Sequence, residues 1–222
     1  MSRLRCEKLL LPPLGSSAGP VVEVTFSLPA QQNAVVVGAD AALCARLMAA
    51  FTLQAPVRGL LHILGHHAAP LKGADKHALR RRMGVCAQKI EWVHNISLLD
   101  NVMLPLRVAG VPGRTARDQA HELLRWLGLS SVTGLLPHQL SAHQERLAAV
   151  ARACIHKPSL LLLDEPFQLL GDDAQHKIWH MVQALHAQGA AVVLFTRQRS
   201  WLKRLNWPTF ELSPQGLQPH AR

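Results

Sequence analysis

The 222-residue chain contains 49% apolar and 17% charged residues, and its formal net charge is +10. This composition is that of a globular protein and disfavours a disordered one. The longest apolar runs are shorter than the roughly 18 residues that cross a bilayer. The positive charge suits anionic partners, but tyrosine is absent and the basic clusters are not interleaved with aromatic residues. A platform that stacks single-stranded nucleic acid is therefore disfavoured.

The four cysteines are widely scattered and form no CxxC pair; they are Cys6, Cys44, Cys86 and Cys154. This spacing favours buried free thiols over a disulfide or zinc framework, so no metal centre is expected.

The first part of the chain predicts strands that alternate with helices. Residues 21–28 (VVEVTFSL) alternate apolar and polar side chains, as in a strand with one buried face. Residues 33–38 (NAVVVG) form a continuous apolar run, which predicts a strand buried on both faces. A helix is predicted at 41–51, and two further strands are predicted at 59–65 and 83–88.

The middle of the chain interrupts this alternation. Residues 96–110 and 115–129 have helical periodicity, with a break between Gly110 and Gly113. The stretch from about 89 to 140 therefore predicts an inserted helical subdomain.

The last third returns to alternating helices and strands. A helix is predicted to begin at a Ser141 cap and to end before Pro158. Strands are predicted at 159–166 and 190–196, with an amphipathic helix at 172–189 between them. The tail after Trp207 predicts a terminal hairpin or a partly ordered segment. The whole pattern predicts an α/β fold with a parallel sheet that is covered on both faces.

The strongest chemical signal is the segment LLLLDEP, residues 160–166. Its buried strand ends in Asp164 and Glu165, at the edge where α/β sheets bind ligands. In nucleotide hydrolases the Asp at this place helps to hold Mg²⁺, and the following Glu polarises a water molecule. The alternative is that both acids cap the next turn and helix.

Other candidate motif residues precede this acidic pair along the chain. Gly38 lies at a strand-to-helix turn, Gln88 ends a strand, and LSAHQ (140–144) opens the helix that leads into the acidic strand. With this order and spacing, nearly the whole chain resembles the nucleotide-binding subunit of an ABC transporter. LRRRMGVCAQ (79–88) and the segment 135–166 are most similar to the FtsE, LolD and MacB group, with the FtsE cell-division subunit nearest.

The resemblance implies a single domain over 1–222 with a P-loop NTPase-like, RecA-like parallel-sheet core. An antiparallel β part stands at its N-terminus; the α/β core covers about 1–88 and 141–222, and the helical subdomain about 89–140. It implies ATP and Mg²⁺ as ligands, with Glu165 as the catalytic base. The residues implied to bind nucleotide or Mg²⁺ are Gly38, Gln88, Ser141, Gln144 and Asp164.

The resemblance also implies partners and a location. These are an integral membrane permease, FtsX-like or related, and a second nucleotide-binding subunit, either an identical copy or an intact ABC ATPase. The chain would then lie on the cytoplasmic face of the inner membrane. Gln88 would help to couple the chain to the permease; its alternative is an ordinary polar strand end.

Departures from the family pattern begin in the phosphate loop, GxxxxGK(S/T). Gly38 matches the first glycine, but Leu43 replaces the second glycine, Cys44 the lysine, and Ala45 the hydroxyl residue. That lysine pairs with the β/γ phosphates and the hydroxyl binds Mg²⁺. Arg46 falls one position late and is expected to point elsewhere around the helix.

The other motifs also depart from the family pattern, each on its own. Ala142 and His143 replace the two glycines of the LSGGQ signature, Arg197 replaces the switch histidine, and Gly171 replaces the Asp that follows DEP. The aromatic residue that stacks on adenine has no counterpart in residues 7–15.

These losses predict a pseudo-ATPase that keeps the fold. Each lost charge-assisted hydrogen bond costs about 1.5–3 kcal/mol, whereas the dipole of the helix after Gly38 still offers an anion only about 0.3–1 kcal/mol. No cofactor is expected to bind tightly. The main hypothesis is a non-hydrolysing scaffold or regulator on a permease. The alternatives are a still-active divergent ATPase and, last, a basic nucleic-acid-binding module.

Overall fold

A computed structural model describes residues 2–13, 20–38 and 40–220 of the chain, apart from the side chain of Lys203. Ten strands form two sheets in this part of the chain. The smaller sheet is antiparallel, with the order β2-β1-β4-β5. Its strands are β1 (Ser2–Leu11), β2 (Val22–Pro29), β4 (Leu60–Ile63) and β5 (His66–His67).

The larger sheet has six strands in the order β10-β9-β3-β8-β7-β6. All neighbouring pairs are parallel except the terminal hairpin β9–β10. The strands are β3 (Asn33–Gly38), β6 (Met83–Cys86), β7 (Leu160–Asp164), β8 (Ala191–Thr196), β9 (Thr209–Ser213) and β10 (Gly216–Pro219). Because β3, β8 and β7 are adjacent and parallel, their carboxyl ends meet at one edge of the sheet.

Seven helices connect the strands of the described chain. They are α1 (Ala41–Phe51), α2 (Gly73–Arg80), α3 (Leu98–Val108), α4 (Gly113–Trp126), α5 (Ala142–Cys154), α6 (Asp172–Ala187) and α7 (Ser200–Leu205). Short 3₁₀ turns at Ser130–Val132 and Pro137–Gln139 lie between α4 and α5. No helix among the described residues is both long enough and apolar enough to cross a bilayer.

The larger sheet is buried on both faces and divides the apolar residues into two cores. Along β3, Val35 and Val37 belong to the core that helices α3 to α6 cover, whereas Ala34 and Val36 belong to the core beneath the antiparallel sheet and α1. This alternation follows from the two-residue period of a strand. The helical segment between β6 and β7 shares its core with the sheet, and the domain boundaries at about 88 and 141 stay a prediction.

The predicted α/β fold, with an antiparallel part at the N-terminus and a parallel core, is confirmed. Strand β3 and helix α1 have the predicted bounds, and the tail forms the predicted hairpin. Sequence reasoning placed no strand at β1 and no helix at α2. The register of β1 shifts between Cys6 and Leu9, where Lys8 has a φ of 47°, and this irregularity breaks the period-2 pattern that marks a strand.

Candidate functional site

The amino end of α1 lies earlier in the chain than the phosphate-loop pattern would place it. Helix α1 begins at Ala41, two residues before the position where the family pattern has its second glycine. Asp40 is its N-cap, and its Oδ1 accepts hydrogen bonds from the backbone N–H groups of Ala42 (2.8 Å) and Leu43 (3.3 Å). A carboxylate of the chain itself therefore uses donors at the amino end of the helix. The dipole of α1, from which only a weak interaction with an anion is expected, thus already has a carboxylate beside it.

Cys44, at the lysine position, folds back against the turn. A Cβ added to Gly38 would lie 2.6 Å from Cys44 Sγ, so a larger residue at position 38 would require the Cys44 side chain to move. Burial, together with the nearby carboxylates of Asp164 and Asp40, raises the pKa of Cys44 to about 12. The thiol stays neutral and does not replace the missing ammonium group.

The neighbouring positions of α1 do not supply the missing groups either. Leu43 is buried in the core and Ala45 is exposed. Arg46 is buried and donates hydrogen bonds to the carbonyl oxygens of Leu11 and Pro20. The distance to the Pro20 oxygen is 2.9 Å. The expectation that Arg46 points away from the turn is confirmed.

Glu165, predicted as the residual catalytic base, is buried and accepts hydrogen bonds at both carboxylate oxygens. Its carboxylate accepts hydrogen bonds from Thr196 Oγ1 (3.1 Å), Arg197 N (2.7 Å) and Arg197 Nε (3.1 Å). The residue in the switch-histidine position thus forms an ion pair with the catalytic position. Glu165 adopts a left-handed φ of 47°, which turns it towards the end of β8.

Asp164, the last residue of β7, is buried beside Glu165, and no basic side chain among the described residues lies within ion-pair distance of it. Burial and the Glu165 charge raise the pKa of Asp164 from 3.8 to about 6, although a hydrogen bond from the Gln88 backbone and the charges of Arg146 and Arg197 oppose the rise. Among the described residues, neither acid bonds through its side chain to the following turn or helix, so the alternative that they are caps there is wrong. Helix α6 begins at Asp172, and its N-cap residue, Gly171, provides no side-chain cap.

Gln88 and the signature helix are linked through Arg146. This buried arginine of α5 donates hydrogen bonds to the carbonyl oxygens of Ala87 (3.2 Å) and Gln88 (3.0 Å). The end of β6 is therefore fixed to the helix that leads into the acidic strand.

The signature residues themselves form a capping box. Ser141 Oγ accepts from Gln144 N (3.3 Å), and Gln144 Oε1 accepts from Ser141 N (2.9 Å), as at many helix N-termini. Ala142 and His143 are exposed in the first turn of α5. In the described part of the chain, the side chains of Ser141 and Gln144 bond only to each other's residue.

The carboxyl ends of β3, β7 and β8 bring one group of predicted residues together: Gly38, Cys44, Asp164, Glu165 and Arg197. The residues present do not fit Mg-ATP. Ala45 has no side-chain oxygen that could bind Mg²⁺, and the Asp40 carboxylate accepts hydrogen bonds from the first N–H groups of α1, which would otherwise face a phosphate. Of residues 7–15, where the adenine-stacking position was sought, 14 and 15 lie outside the described residues. The described residues also include no cluster of three or more His, Cys, Asp or Glu that could hold a metal ion.

Sequence reasoning missed Asp40 and the partner of Glu165. A signal for Asp40 existed, since an Asp directly before a helical pattern marks an N-cap. The pairing of Glu165 with Arg197 joins residues 32 apart and depends on the parallel neighbours β7 and β8.

The fold, together with the site at the carboxyl ends of β3, β7 and β8, is that of a P-loop nucleotide-binding cassette. Comparisons with known proteins identify its family. A family profile described as "ABC transporter" matches residues 21–168. The lipoprotein-releasing system ATP-binding protein LolD of Gluconobacter oxydans is 33% identical over 156 residues, 69% of this chain and 68% of LolD. The chain belongs to the ABC transporter family, as an ATP-binding domain.

Other relatives are longer than the region that they share. The pyoverdine export ATP-binding/permease protein PvdT of Pseudomonas aeruginosa is 31% identical over 191 residues, 83% of this chain and 29% of PvdT. The macrolide export ATP-binding/permease protein MacB of Rhodospirillum rubrum is 32% identical over 148 residues, 66% of this chain and 23% of MacB. The chain therefore spans only about a quarter of these two relatives.

Solved structures share the fold at low identity. A dimeric structure of the bacterial ABC transporter cassette MJ0796 has a TM-score of 0.83, with 20% identity over 96% of both chains. A second structure of that cassette, in a post-hydrolysis state with ADP and Pi, has a TM-score of 0.84, with 19% identity over 99% of both chains.

Proposed function

We propose that the chain is a non-hydrolysing ABC-type subunit that docks on an integral membrane permease and acts there as a scaffold or regulator. The observation that carries this proposal is Asp40, whose carboxylate accepts from the first N–H groups of α1 where a phosphate loop would bind its ligand. Phosphates brought to this turn would meet a negative charge and no lysine.

The hydrolytic position supports the same proposal. A base that activates water needs a free carboxylate oxygen within hydrogen-bond reach of that water. Both oxygens of Glu165 accept hydrogen bonds from the end of β8, and Arg197 adds its positive charge to one of them. These contacts hold Glu165 away from the role of a free base, which supports a loss of hydrolysis separate from the loss of nucleotide binding.

The proposed partner is a permease in the inner membrane, with the chain on its cytoplasmic face. PvdT and MacB are named as combined ATP-binding/permease proteins, which supports a membrane partner for this chain. The dimeric cassette supports pairing with a second subunit, either an identical copy or an intact ATPase. A finer proposal, from the segments around Gln88 and the signature helix, is an FtsE-like role in cell division beside an FtsX-like permease.

The test combines nucleotide binding with capture of the permease. Titration with ATP, with and without Mg²⁺, is expected to show no binding up to millimolar concentration, with LolD as the positive control. The tagged chain is expected to co-purify with one permease from detergent-solubilised membranes, and mass spectrometry of that permease tests the FtsX-like assignment. Hydrolysis that Glu165→Gln abolishes would instead establish the alternative, an active ATPase that energises a LolD-like or MacB-like export complex.

A further inference from the structure

Two histidines lie one helical turn apart on the exposed side of α6. His176 and His180 are both exposed. The buried residues of the helix are Ala174, Ile178, Val182 and Leu185. Because successive residues of a helix are about 100° apart, the two histidines lie on the side opposite this buried row. Among the thirteen histidines, no other two are four residues apart within a helix of the described chain.

This spacing is that of a helical metal chelate. Residues four apart on a helix have Cβ atoms about 5–6 Å from each other on one face. Two imidazole nitrogens can then reach the same ion at the usual zinc–nitrogen distance of about 2.0–2.1 Å. Zinc enzymes with two helical histidines at i and i+4 use the same geometry.

Both rings are available for coordination. Other histidine rings form hydrogen bonds to oxygen atoms of the chain, as those of His156, His186 and His220 do. Within the described chain, the rings of His176 and His180 have no such partner and no ion pair. A metal ion at this place therefore displaces no protein hydrogen bond.

A second histidine pair, on the antiparallel sheet, has a less suitable geometry. His62 and His67 lie opposite each other on β4 and β5. Their rings are stacked, with centroids 5.1 Å apart and planes 17° from parallel. The nitrogen lone pairs of an imidazole lie in the ring plane, so stacked rings direct them side by side and not towards one ion. This pair provides a matched control.

Charges of both signs surround the α6 histidines. The first turn of the helix carries the exposed acids Asp172 and Asp173, and Lys177 pairs with Asp173 (2.7 Å). Arg204, which lines the same small cavity as His176, lies 4.8 Å from the centre of the Trp201 ring. The selectivity of a site here comes from its two imidazoles and not from an excess of negative charge.

We propose that His176 and His180 bind one divalent transition metal ion of the kind that imidazole prefers, such as Zn²⁺ or Cu²⁺. Each ring donates a lone pair from one neutral nitrogen. Water completes the coordination shell, because the described residues form no group of three or more metal-binding side chains. The site uses histidines alone, since the four cysteines are buried. It is separate from the residues of the altered nucleotide site and does not rest on the proposed function.

Metal binding at this site stabilises the folded state. Only the helical conformation holds the two rings at chelating distance, so the ion binds the folded chain more tightly than the unfolded one. We expect Zn²⁺ to raise the midpoint of urea unfolding of the full chain, whereas Mg²⁺, which prefers oxygen ligands, should not change it.

The experiment combines calorimetry with NMR of the imidazole rings. The full chain is titrated with Zn²⁺ and with Cu²⁺ by calorimetry, and long-range ¹H–¹⁵N spectra identify the rings that respond to Zn²⁺. We expect one equivalent of Zn²⁺ to shift the ring signals of His176 and His180, and Cu²⁺ to bind more tightly than Zn²⁺. His176→Gln/His180→Gln should weaken binding at least about tenfold, since loss of even an outer-shell partner of a metal site costs about 10–100-fold.

Two control variants test the site and its geometry. His62→Gln/His67→Gln removes the same number of histidines and should leave Kd unchanged. His180→Ala/Ala187→His keeps the composition but separates the two rings by about 16 Å along the helix, which is too far for one ion, and it should lose binding as the double glutamine variant does.

Several results would overturn the proposal. Equal binding by wild type and His176→Gln/His180→Gln would place the ion elsewhere, and so would loss of binding in His62→Gln/His67→Gln. Undiminished binding by His180→Ala/Ala187→His would mean that no chelate forms. Competition by Mg²⁺ would assign the ion to Asp172 and Asp173 instead of the imidazoles. None of these results bears on the permease partner or on hydrolysis, so the proposed function is tested separately.

Discussion

Two adjacent carboxylates at the end of β7 differ in their surroundings. Glu165 is paired with Arg197, whereas the charged form of Asp164 is favoured by a backbone hydrogen bond from Gln88 and, from further away, by the charges of Arg146 and Arg197, and burial outweighs all three. A buried carboxylate without a cation costs free energy when it ionises. In a nucleotide-binding relative this position faces Mg²⁺, but here no lysine or hydroxyl accompanies it. Asp164 is therefore a destabilising residue at neutral pH.

Asp164→Asn is expected to raise the free energy of unfolding by about 1–3 kcal/mol at pH 7.5. The folded state holds the Asp164 proton up to about pH 6, whereas an unfolded aspartate loses it near pH 3.8. The wild-type protein therefore loses stability as pH rises from about 4 to 6. Above pH 6 the free-energy penalty from ionised Asp164 is constant. Asparagine has the same shape and no ionisation. Urea unfolding of both proteins at several pH values between 4 and 8 measures the difference.

The control for this prediction is Asp172→Asn, at an exposed acid in the first turn of α6. It should show no comparable gain between pH 4 and 6. A difference between Asp164→Asn and wild type that does not change with pH, or a loss of stability at pH 7.5, would contradict the assigned cause.

At the scale of elements, the amino end of α1 decides what the turn after β3 can do. The helix starts early because Asp40 caps it and because residues 41–45 include no glycine to break it. A phosphate loop needs backbone amides that point into an open arch. In this chain the Asp40 cap and the early start of α1 occupy the place of that arch.

Asp40→Ala is expected to destabilise the protein by about 1 kcal/mol, within the usual range of about 0.5–2 kcal/mol for a lost N-cap. Asp40→Asn keeps an acceptor oxygen and should stay within a few tenths of a kcal/mol of wild type. Thermal or urea unfolding of the two variants measures this contrast.

Neither Asp40 variant is expected to bind ATP at millimolar concentration, because the neutral Cys44 thiol remains in place of the lysine. ATP binding by Asp40→Ala alone would show that the cap was the sole obstacle, and the explanation from several independent losses would then be wrong.

Elements with a strong local signal could be predicted from the sequence. The apolar run of β3, the terminal glycine and the periodic helix α1 are each local, and their predicted bounds agree with the structure. Strand β1 has no such signal because of its register shift, and α2 is a short helix of eight mostly polar residues.

The features of the site also divide into those that could be predicted from local sequence and those that could not. The missing lysine, hydroxyl and signature glycines were readable because each is an identity at a fixed spacing. The pairing of Glu165 with Arg197, and the hydrogen bonds from Arg146 to the end of β6, require knowledge of which elements become neighbours. Such contacts between distant parts of a chain are not encoded in any local pattern.

At the scale of the whole molecule, the motif positions that differ from the family pattern lie in different elements of one fold. The phosphate-loop positions are in α1, the signature residues begin α5, and Arg197 follows β8. Helix α1 packs in one core, whereas α5 packs in the other, on the opposite face of the sheet. A repair of the phosphate loop in α1 therefore leaves the signature residues of α5 unchanged, because the two lie on opposite faces of the sheet.

The triple variant Leu43→Gly, Cys44→Lys and Ala45→Ser, which rebuilds the phosphate-loop sequence, is expected not to hydrolyse ATP. Arg197 would still hold Glu165, and Ala142 and His143 would still replace the signature glycines. The variant should also lose stability, because Leu43 is 2% exposed in the core. Removing a buried leucine costs about 2–5 kcal/mol, and a glycine inside a helix adds about 1 kcal/mol.

Stability and activity can be separated with a matched control. Cys44→Lys with Ala45→Ser keeps Leu43, so this double variant should stay closer to wild type in urea unfolding while it adds the lysine and the hydroxyl. Both variants are assayed for ATP hydrolysis beside LolD. A rate comparable to that of LolD in either variant would mean that the phosphate loop alone limits the chemistry. The expected absence of hydrolysis in the folded double variant would instead assign the loss to several elements at once, and the Glu165–Arg197 pair would be the next contact to remove.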